Sequence, residues 1–367
     1  MQKIKDIMTN KKLMYYIFGG IAGIVILFGG VFLVLKMLGR KISYSELENQ
    51  LYSATEKYLK ENDIYYPNEE NPETIISSED LVQGKYIKEL NKLVKDNCSA
   101  EIEVLYKNGG YAIRPLLSCD KYESQLFYDK ILADNPVTDE GNGLHDLYEM
   151  LVFRGDRVNN YVKFNGTLWR IVKMNPVDNT IYLILDNVKE APNDIWDDRY
   201  NTAEESRHGI NDFPVSVISS TLKELYRTKF NTVKAKMVPM DICVGKRSNT
   251  ETINDGSIEC SYVMEEPEFV TLMQINDYIN ASTDRRCNTV EDPACGNYNY
   301  LVNKNGKWWT LTADGTKGTK VYSINYNGNI NSDYANSKKF IRLMIAVDGN
   351  NLYQEGNGTS NNPYIMK

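Results

Sequence analysis

The sequence predicts an α+β protein: an N-terminal transmembrane helix, a small helix-plus-hairpin module, and a larger mixed domain. Three observations carry this. Residues 13–35, LMYYIFGGIAGIVILFGGVFLVL, form an uncharged run of 23 residues. At about 1.5 Å rise each they span a hydrocarbon core of roughly 30 Å. Cys98 and Cys119 flank two alternating segments around Asn108-Gly109, a strong hairpin signal. From Tyr161 onward short apolar runs alternate with Asn- and Gly-rich turns, interrupted by two helical patterns.

Charge is distributed unevenly. The chain has 367 residues and a formal net charge of −7, yet residues 1–40 carry six Lys/Arg against one Asp. The acidic remainder argues against nucleic acid as a partner, since phosphate binding needs a basic face. His145 and His208 are the only histidines, which counts against His-dependent catalysis and His-rich metal sites.

The elements follow in order. Residues 1–12 read as a cytoplasmic tail and 13–38 as the transmembrane helix, set between Lys11-Lys12 and Lys36, Arg40 and Lys41. The apolar run exceeds the usual signal-peptide core of about 7–15 residues and no Ala-x-Ala-like site follows it. The basic flanks place the N-terminus in the cytoplasm. The expectation is a single-pass protein of the cell membrane with an extracellular body, its membrane partner reached through this helix. Gly19 and Gly23 form a GxxxG pair that would let two such helices approach, which nominates self-association there, although the glycine abundance of membrane helices accounts for the same pair.

Residues 42–122 form the first module. Tyr44, Leu47, Leu51, Ala54 and Tyr58 recur at helical spacing, with Ser45 and Glu48 as a capping box and an end near Glu61-Asn62. A second helix is predicted over Ser78–Gln83, with Gly84 at C′. In the hairpin, taking Asn108-Gly109 as the loop pairs Tyr106 with Tyr111, Val104 with Ile113, Ile102 with Pro115, Ala100 with Leu117 and Cys98 with Cys119. That face is apolar. Arg114 falls on the other, polar face. The cysteines meet at a non-hydrogen-bonded position, close enough for a disulfide.

This arrangement resembles type IV pilin-like proteins, and the segment YLKENDIYYPNEE…SSEDLVQGKYIKEL…CSAEIEV resembles pilin-like surface proteins of low-GC Gram-positive bacteria. The leader ending in Gly before Phe and the glutamate within the apolar run are missing here, so pilin processing and filament assembly are not carried over.

Residues 123–160 read as a linker, with turns at Asn135-Pro136 and 140–143 and a short helix in GLHDLYEML that leaves His145 on the surface. The larger domain covers 161–367. It opens with a hairpin, Tyr161–Phe164 and Thr167–Val172 about Asn165-Gly166, and a strand at Ile181–Leu185. A helix is predicted at Ser219–Phe230 with Leu222, Leu225 and Tyr226 inward, capped by Ser219 or Ser220. Glu268–Ala281 reads as a strand or turn entering a short helix, and strands are predicted at Trp308–Thr312, Val321–Tyr326 and Phe340–Val347.

The runs YVKFNGTLWRIVKMN, EFVTLMQINDYINAS, WWTLT, FIRLMIAV and GNGTSNNPYI resemble an uncharacterised surface domain of low-GC Gram-positive bacteria, itself similar to the C-type-lectin-like or formylglycine-generating-enzyme-like fold. The resemblance implies a lectin-like mixed domain with a small twisted sheet and long loops, and no particular activity. The remaining cysteines pair locally as Cys243–Cys260 and Cys287–Cys295, a reading that sets all six in disulfides and the body outside the cytosol.

The sequence holds no GxSxG elbow, P-loop or GxGxxG. Asp194, Asp197, Asp198, Glu204, Glu205, Glu265, Glu266 and Glu268 could supply a carboxylate pair, but solvated acidic loops explain them. Oxygen-rich turns around Asp314, Asp333 and Asp348 nominate calcium as a cofactor, although turn chemistry accounts for the same residues. Adjacent strand residues point to opposite faces, so Trp308 and Trp309 place one ring in the core and offer the other, with Tyr326, as a stacking surface for a ligand. The expected function is therefore not enzymatic: a membrane-anchored bacterial surface protein binding an extracellular glycan or protein. The alternatives are a pilin-like structural component of the envelope and, from the second resemblance, thiol-dependent chemistry.

Overall fold

The computed structural model describes residues 41–367. The expected membrane helix, its flanks and the Gly19–Gly23 pair lie outside them. Among the described residues no helix is long and apolar enough to cross a membrane. The fold class is corrected accordingly to mixed helix and strand with a curled sheet, without a supported transmembrane helix. The one long helix, α1 (Tyr44–Glu61), cannot serve, because Glu46, Glu48, Glu56, Lys57, Lys60 and Glu61 are spread along it.

The described residues fall into two compact units: 41–64, Ile76–Ile102 and Pro115–Glu123 form one, Tyr65–Ile75, Glu103–Arg114 and Ser124–Lys367 the other. In the first, α1 buries Leu47, Leu51 and Ala54 as its periodicity requires. Its N-cap is Ser43, not Ser45: Ser43 has the extended backbone of a cap and its hydroxyl accepts from the Glu46 N–H at 3.2 Å. Glu48 is buried instead and accepts from the Tyr122 hydroxyl at 2.9 Å. After β1 (Glu73–Ser77) comes α2 (Ser78–Gln83), where Ser77 and Asp80 form a capping box. Gly84 is right-handed, and Lys85 is the residue at positive φ. Glycine is needed at 84 because a Cβ there would meet the Tyr86 ring at 2.5 Å. A turn of helix, α3 (Leu90–Leu93), leads to β2 (Cys98–Lys107) and β3 (Gly110–Cys119), in the strand order β1-β2-β3. The Cys98–Cys119 disulfide closes the hairpin's open end, with Cα atoms 4.1 Å apart.

In the second unit the hairpin turn has Asn108 and Gly109 at φ 55° and 68°, the pair of positive angles a two-residue turn of this hand demands. The expected polar position of Arg114 is overturned. It is buried, 2.6 Å from the Asp348 carboxylate.

Residues 123–160 carry structure in place of a linker: α4 (Phe127–Asp134) and the hairpin β4 (Gly143–Leu147) and β5 (Met150–Arg154). The predicted helix in GLHDLYEML is thus a strand pair. Tyr148 and Glu149 make its turn at positive φ, and β5 pairs through Leu151 and Val152 with a neighbouring strand, a tertiary demand that overrides local preference. His145 is buried rather than on the surface. Its Nε2 lies 3.0 Å from the Gly141 carbonyl, and burial lowers its pKa.

The expected hairpin follows as β6 (Tyr161–Phe164) and β7 (Thr167–Met174), with Tyr161 opposite Arg170 and Phe164 opposite Thr167. Next come β8 (Thr180–Leu185) and β9 (Asn193–Asp194). Helix α5 (Val217–Leu225) starts earlier than predicted, because Ser216 after Pro214 caps it and accepts from Ser219 N–H at 3.2 Å. Then come β10 (Met237–Val238), β11 (Lys246–Arg247) and β12 (Val270–Leu272), with β12 running into α6 (Ile275–Asn280). The remaining strands are β13 (Trp308–Asp314), β14 (Lys320–Ile324), β15 (Ile330–Tyr334), β16 (Lys339–Phe340), β17 (Leu343–Asp348), β18 (Tyr353–Glu355) and β19 (Tyr364–Met366).

The large sheet has the order β10-β17-β8-β7-β6-β19-β18, with β12 added to β17 and β5, carrying β4, added to β7. A second sheet has the order β15-β14-β13-β16-β9, with β11 on β13. One apolar core joins the elements of this unit, including Trp169, Trp196, Trp308 and Trp309. All seven residues of β13 are buried, as expected of a strand covered on both faces.

Candidate functional site

The second unit contains a cleft of 860 Å³ walled by β7, β8, β12, the first turn of α6 and the loop around the Cys243–Cys260 disulfide. Two charged residues enter it from apolar elements. Lys173 comes from β7, in the run TLWRIVKM, and Asp277 from α6, whose Ile275, Tyr278 and Ile279 are buried. They meet at 2.7 Å, with side chains 21% and 6% exposed. The ammonium also lies 5.3 Å from the Tyr182 ring centroid. Burial pulls the Lys173 pKa down, but the Asp277 carboxylate more than offsets this and leaves it raised. Burial likewise raises the Tyr182 hydroxyl.

Two residues of the cleft lining each carry a buried side-chain atom without a hydrogen-bond partner among the described residues: the Thr271 hydroxyl on β12 and the Asn276 side-chain carbonyl on α6. Thr271 is 6% and Asn276 7% exposed. Polar atoms so enclosed are normally paired. Gln274 beside them is used up: its amide donates to the Cys243 carbonyl at 2.6 Å and its oxygen accepts from Thr312 Oγ1 at 2.7 Å. Glu259 is held by Arg247 at 2.8 Å, both fully buried. The lining has one cation, Lys173, against Glu149, Asp178, Asp241, Asp255, Glu259 and Asp277. Such a surface repels anions and accepts hydroxyls or amines.

The residues nominated by the sequence lie elsewhere. Trp308 and Trp309 are both fully buried, so neither is a stacking surface. Period-two alternation exposes one ring only where one face of the strand is solvated, and β13 has no solvated face. Trp308 packs edge-on against Tyr278 beneath Arg342. Trp309 donates to the Asp194 carbonyl at 3.2 Å, with the Lys339 ammonium 4.6 Å from its ring centroid. Tyr326 is exposed.

The three aspartates nominated for calcium are not brought together. Asp314 accepts from Thr316 N–H and Oγ1 at 2.7 Å and from Ser332 Oγ. Asp333 takes Ser323 Oγ at 2.6 Å and Lys339 at 3.0 Å. Asp348 binds Lys107 and Arg114, each at 2.6 Å. Asp314 and Asp333 are therefore used by neighbouring strands and turns, and Asp348 by the cations of the β2–β3 hairpin. Among the described residues the one metal-like grouping is Asp96 with Cys98 and Cys119, whose sulfurs are bonded to each other. All six cysteines are paired, as Cys98–Cys119, Cys243–Cys260 and Cys287–Cys295, so thiol-dependent chemistry has no thiol to use.

The cleft residues were not singled out from the sequence. Their signal is a charge standing in an apolar element: Lys173 within β7 and Asp277 within α6. Comparison with protein-family models, with curated proteins and with solved structures finds no match.

Proposed function

We propose that this protein is an extracellular binding module whose acidic cleft takes a glycan that is neutral or carries an amine. The observation that carries the reading is the pair of unpartnered groups, Thr271 Oγ1 and Asn276 Oδ1, on enclosed residues of the cleft. Both atoms are covered in the fold, so a small turn of each side chain toward the cleft would let a sugar hydroxyl donate to the Asn276 oxygen and exchange a hydrogen bond with the Thr271 hydroxyl. Tyr182 in the wall and the exposed Tyr148 at the rim supply aromatic faces for the ring. The acidic lining disfavours uronic or sialic sugars there, and the concave shape suits a small ligand better than a flat protein surface. Three disulfides support a place outside the cytosol.

The test is a glycan array probed with the full chain, with and without calcium. Binding to neutral or amino-sugar glycans that is lost in Asn276→Leu is the expected result. A blank array under both conditions, or binding confined to acidic glycans and indifferent to Asn276→Leu, overturns the reading.

A further inference from the structure

A second pocket in the same unit, of 500 Å³, has the opposite character. Its lining includes Arg157, Arg170 and Arg342 against Asp156 and Asp186. Arg170, on β7, is the central group. Its side chain is 7% exposed. Nε donates to Asn160 Oδ1 at 2.6 Å, and Asn160 is fixed in turn by donating to the Ile171 carbonyl at 2.7 Å. The guanidinium lies between two rings, 3.9 Å from the centroid of Tyr161 and 4.8 Å from that of Tyr300. Tyr161 is its cross-strand partner, and the Tyr300 hydroxyl donates to the Ile171 carbonyl at 3.1 Å. Plane and direction of the group are thus set before any ligand arrives.

Its terminal nitrogens are left under-used. The nearest anion is Asp186, 3.7 Å from Nη1, which is too long for a good hydrogen bond. Neither Nη nitrogen reaches a described acceptor within hydrogen-bond distance. The second buried guanidinium, Arg342, donates to the carbonyls of Leu185 and Leu301, each at 2.7 Å. Those groups are neutral, and the Asp186 carboxylate offsets only part of the cost of burying its charge. Burial pushes Arg342 down to about 10, and the nearby Arg170 charge adds to that fall. Burial lowers Arg170 too. Two desolvated cations face one loosely paired carboxylate.

We propose that this pocket is an oxyanion-binding site in which the free edge of Arg170 receives the carboxylate or phosphate of a small ligand. A guanidinium fork matches either group in bidentate fashion. The pocket volume leaves room for the body of a sugar acid or sugar phosphate around the anion. This site stands apart from the acidic cleft and does not depend on the glycan reading.

The experiment is calorimetric titration of the full chain with inorganic phosphate and, separately, with D-glucuronate, at fixed ionic strength. Binding in the phosphate arm identifies a phosphorylated ligand, and in the glucuronate arm a carboxylated one. The expected affinity falls about tenfold in Arg170→Gln. Arg170→Lys, which keeps the charge but loses the fork, is also weakened, and Asp186→Asn, which removes the competing carboxylate, binds more tightly. Binding of neither anion to the wild type overturns the proposal, as does affinity that is unchanged in a folded Arg170→Gln protein. If Arg170→Gln does not fold, unchanged affinity in Asp186→Asn overturns it instead.

Discussion

Replacing Thr271 by Val should make the protein more stable and a poorer binder. The hydroxyl is enclosed and unpartnered among the described residues, on a strand whose Thr271 pairs with Met344 of β17. An enclosed polar group without a partner costs about 1–3 kcal/mol. Valine keeps the branched shape, replaces the hydroxyl with a methyl, and suits a strand. Because the residue borders a cleft, the lower end of that range applies, a gain of about 1 kcal/mol. Binding moves the other way. A lost neutral hydrogen bond is worth about 0.5–1.5 kcal/mol, or roughly a two- to twelvefold weaker affinity. Urea denaturation followed by tryptophan fluorescence reads the first effect, since all four tryptophans are buried. Titration with an array-identified glycan reads the second. A loss of stability would mean that the hydroxyl is bonded within the fold. A stabilised variant with unchanged affinity would mean that the ligand does not touch it. Either result refutes the reasoning.

Three other outcomes are expected. Lys173→Met should cost about 3 kcal/mol by stranding Asp277. Because the Lys173 pKa is raised in the fold, its contribution is full below the ordinary value of 10.5 and is lost as pH climbs through the folded value. The variant should therefore lack that alkaline limb in urea titrations. Asp348→Asn should likewise cost about 3 kcal/mol at neutral pH, since it leaves the buried Arg114 with only the longer 3.7 Å pair to Glu103. Burial pushes the Asp348 carboxyl up, but Lys107, Arg114 and the Asn350 N–H more than offset it and hold it below 3.8. The wild type loses this stabilisation as pH falls through the folded value, and the variant should show a flatter acid limb. Replacing Cys98 and Cys119 by Ser should cost about 3 kcal/mol, and the Cys287–Cys295 pair somewhat less, because it closes 8 residues of separation rather than 21.

What could be read from the chain was local. Asn108-Gly109 and Asn165-Gly166 announce their hairpins because consecutive positive φ angles admit few other residues. Ser78–Gln83 was placed to the residue, although the glycine expected at C′ is right-handed and Lys85 takes the positive φ. The three disulfides followed from keeping each bridge within one loop or hairpin. What escaped was set by distant sequence. The Tyr148-Glu149 turn is the same device as the legible hairpins, made from residues that do not advertise it. The Trp308-Trp309 pair was misread because alternation says nothing about whether a second face is covered. Lys173 and Asp277 are 104 positions apart, and no short-range pattern links them.

The Cys243–Cys260 bridge lines the cleft wall, and the 243 carbonyl holds Gln274 in place. Production in a reducing host would therefore damage the pocket more than the two sheets of the same unit, none of whose strands carries a cysteine. Such material could pass every test of secondary structure and still give an empty binding screen. Oxidative folding belongs at the start of any search for the ligand, and the thiol content of the sample should be measured before its affinities are.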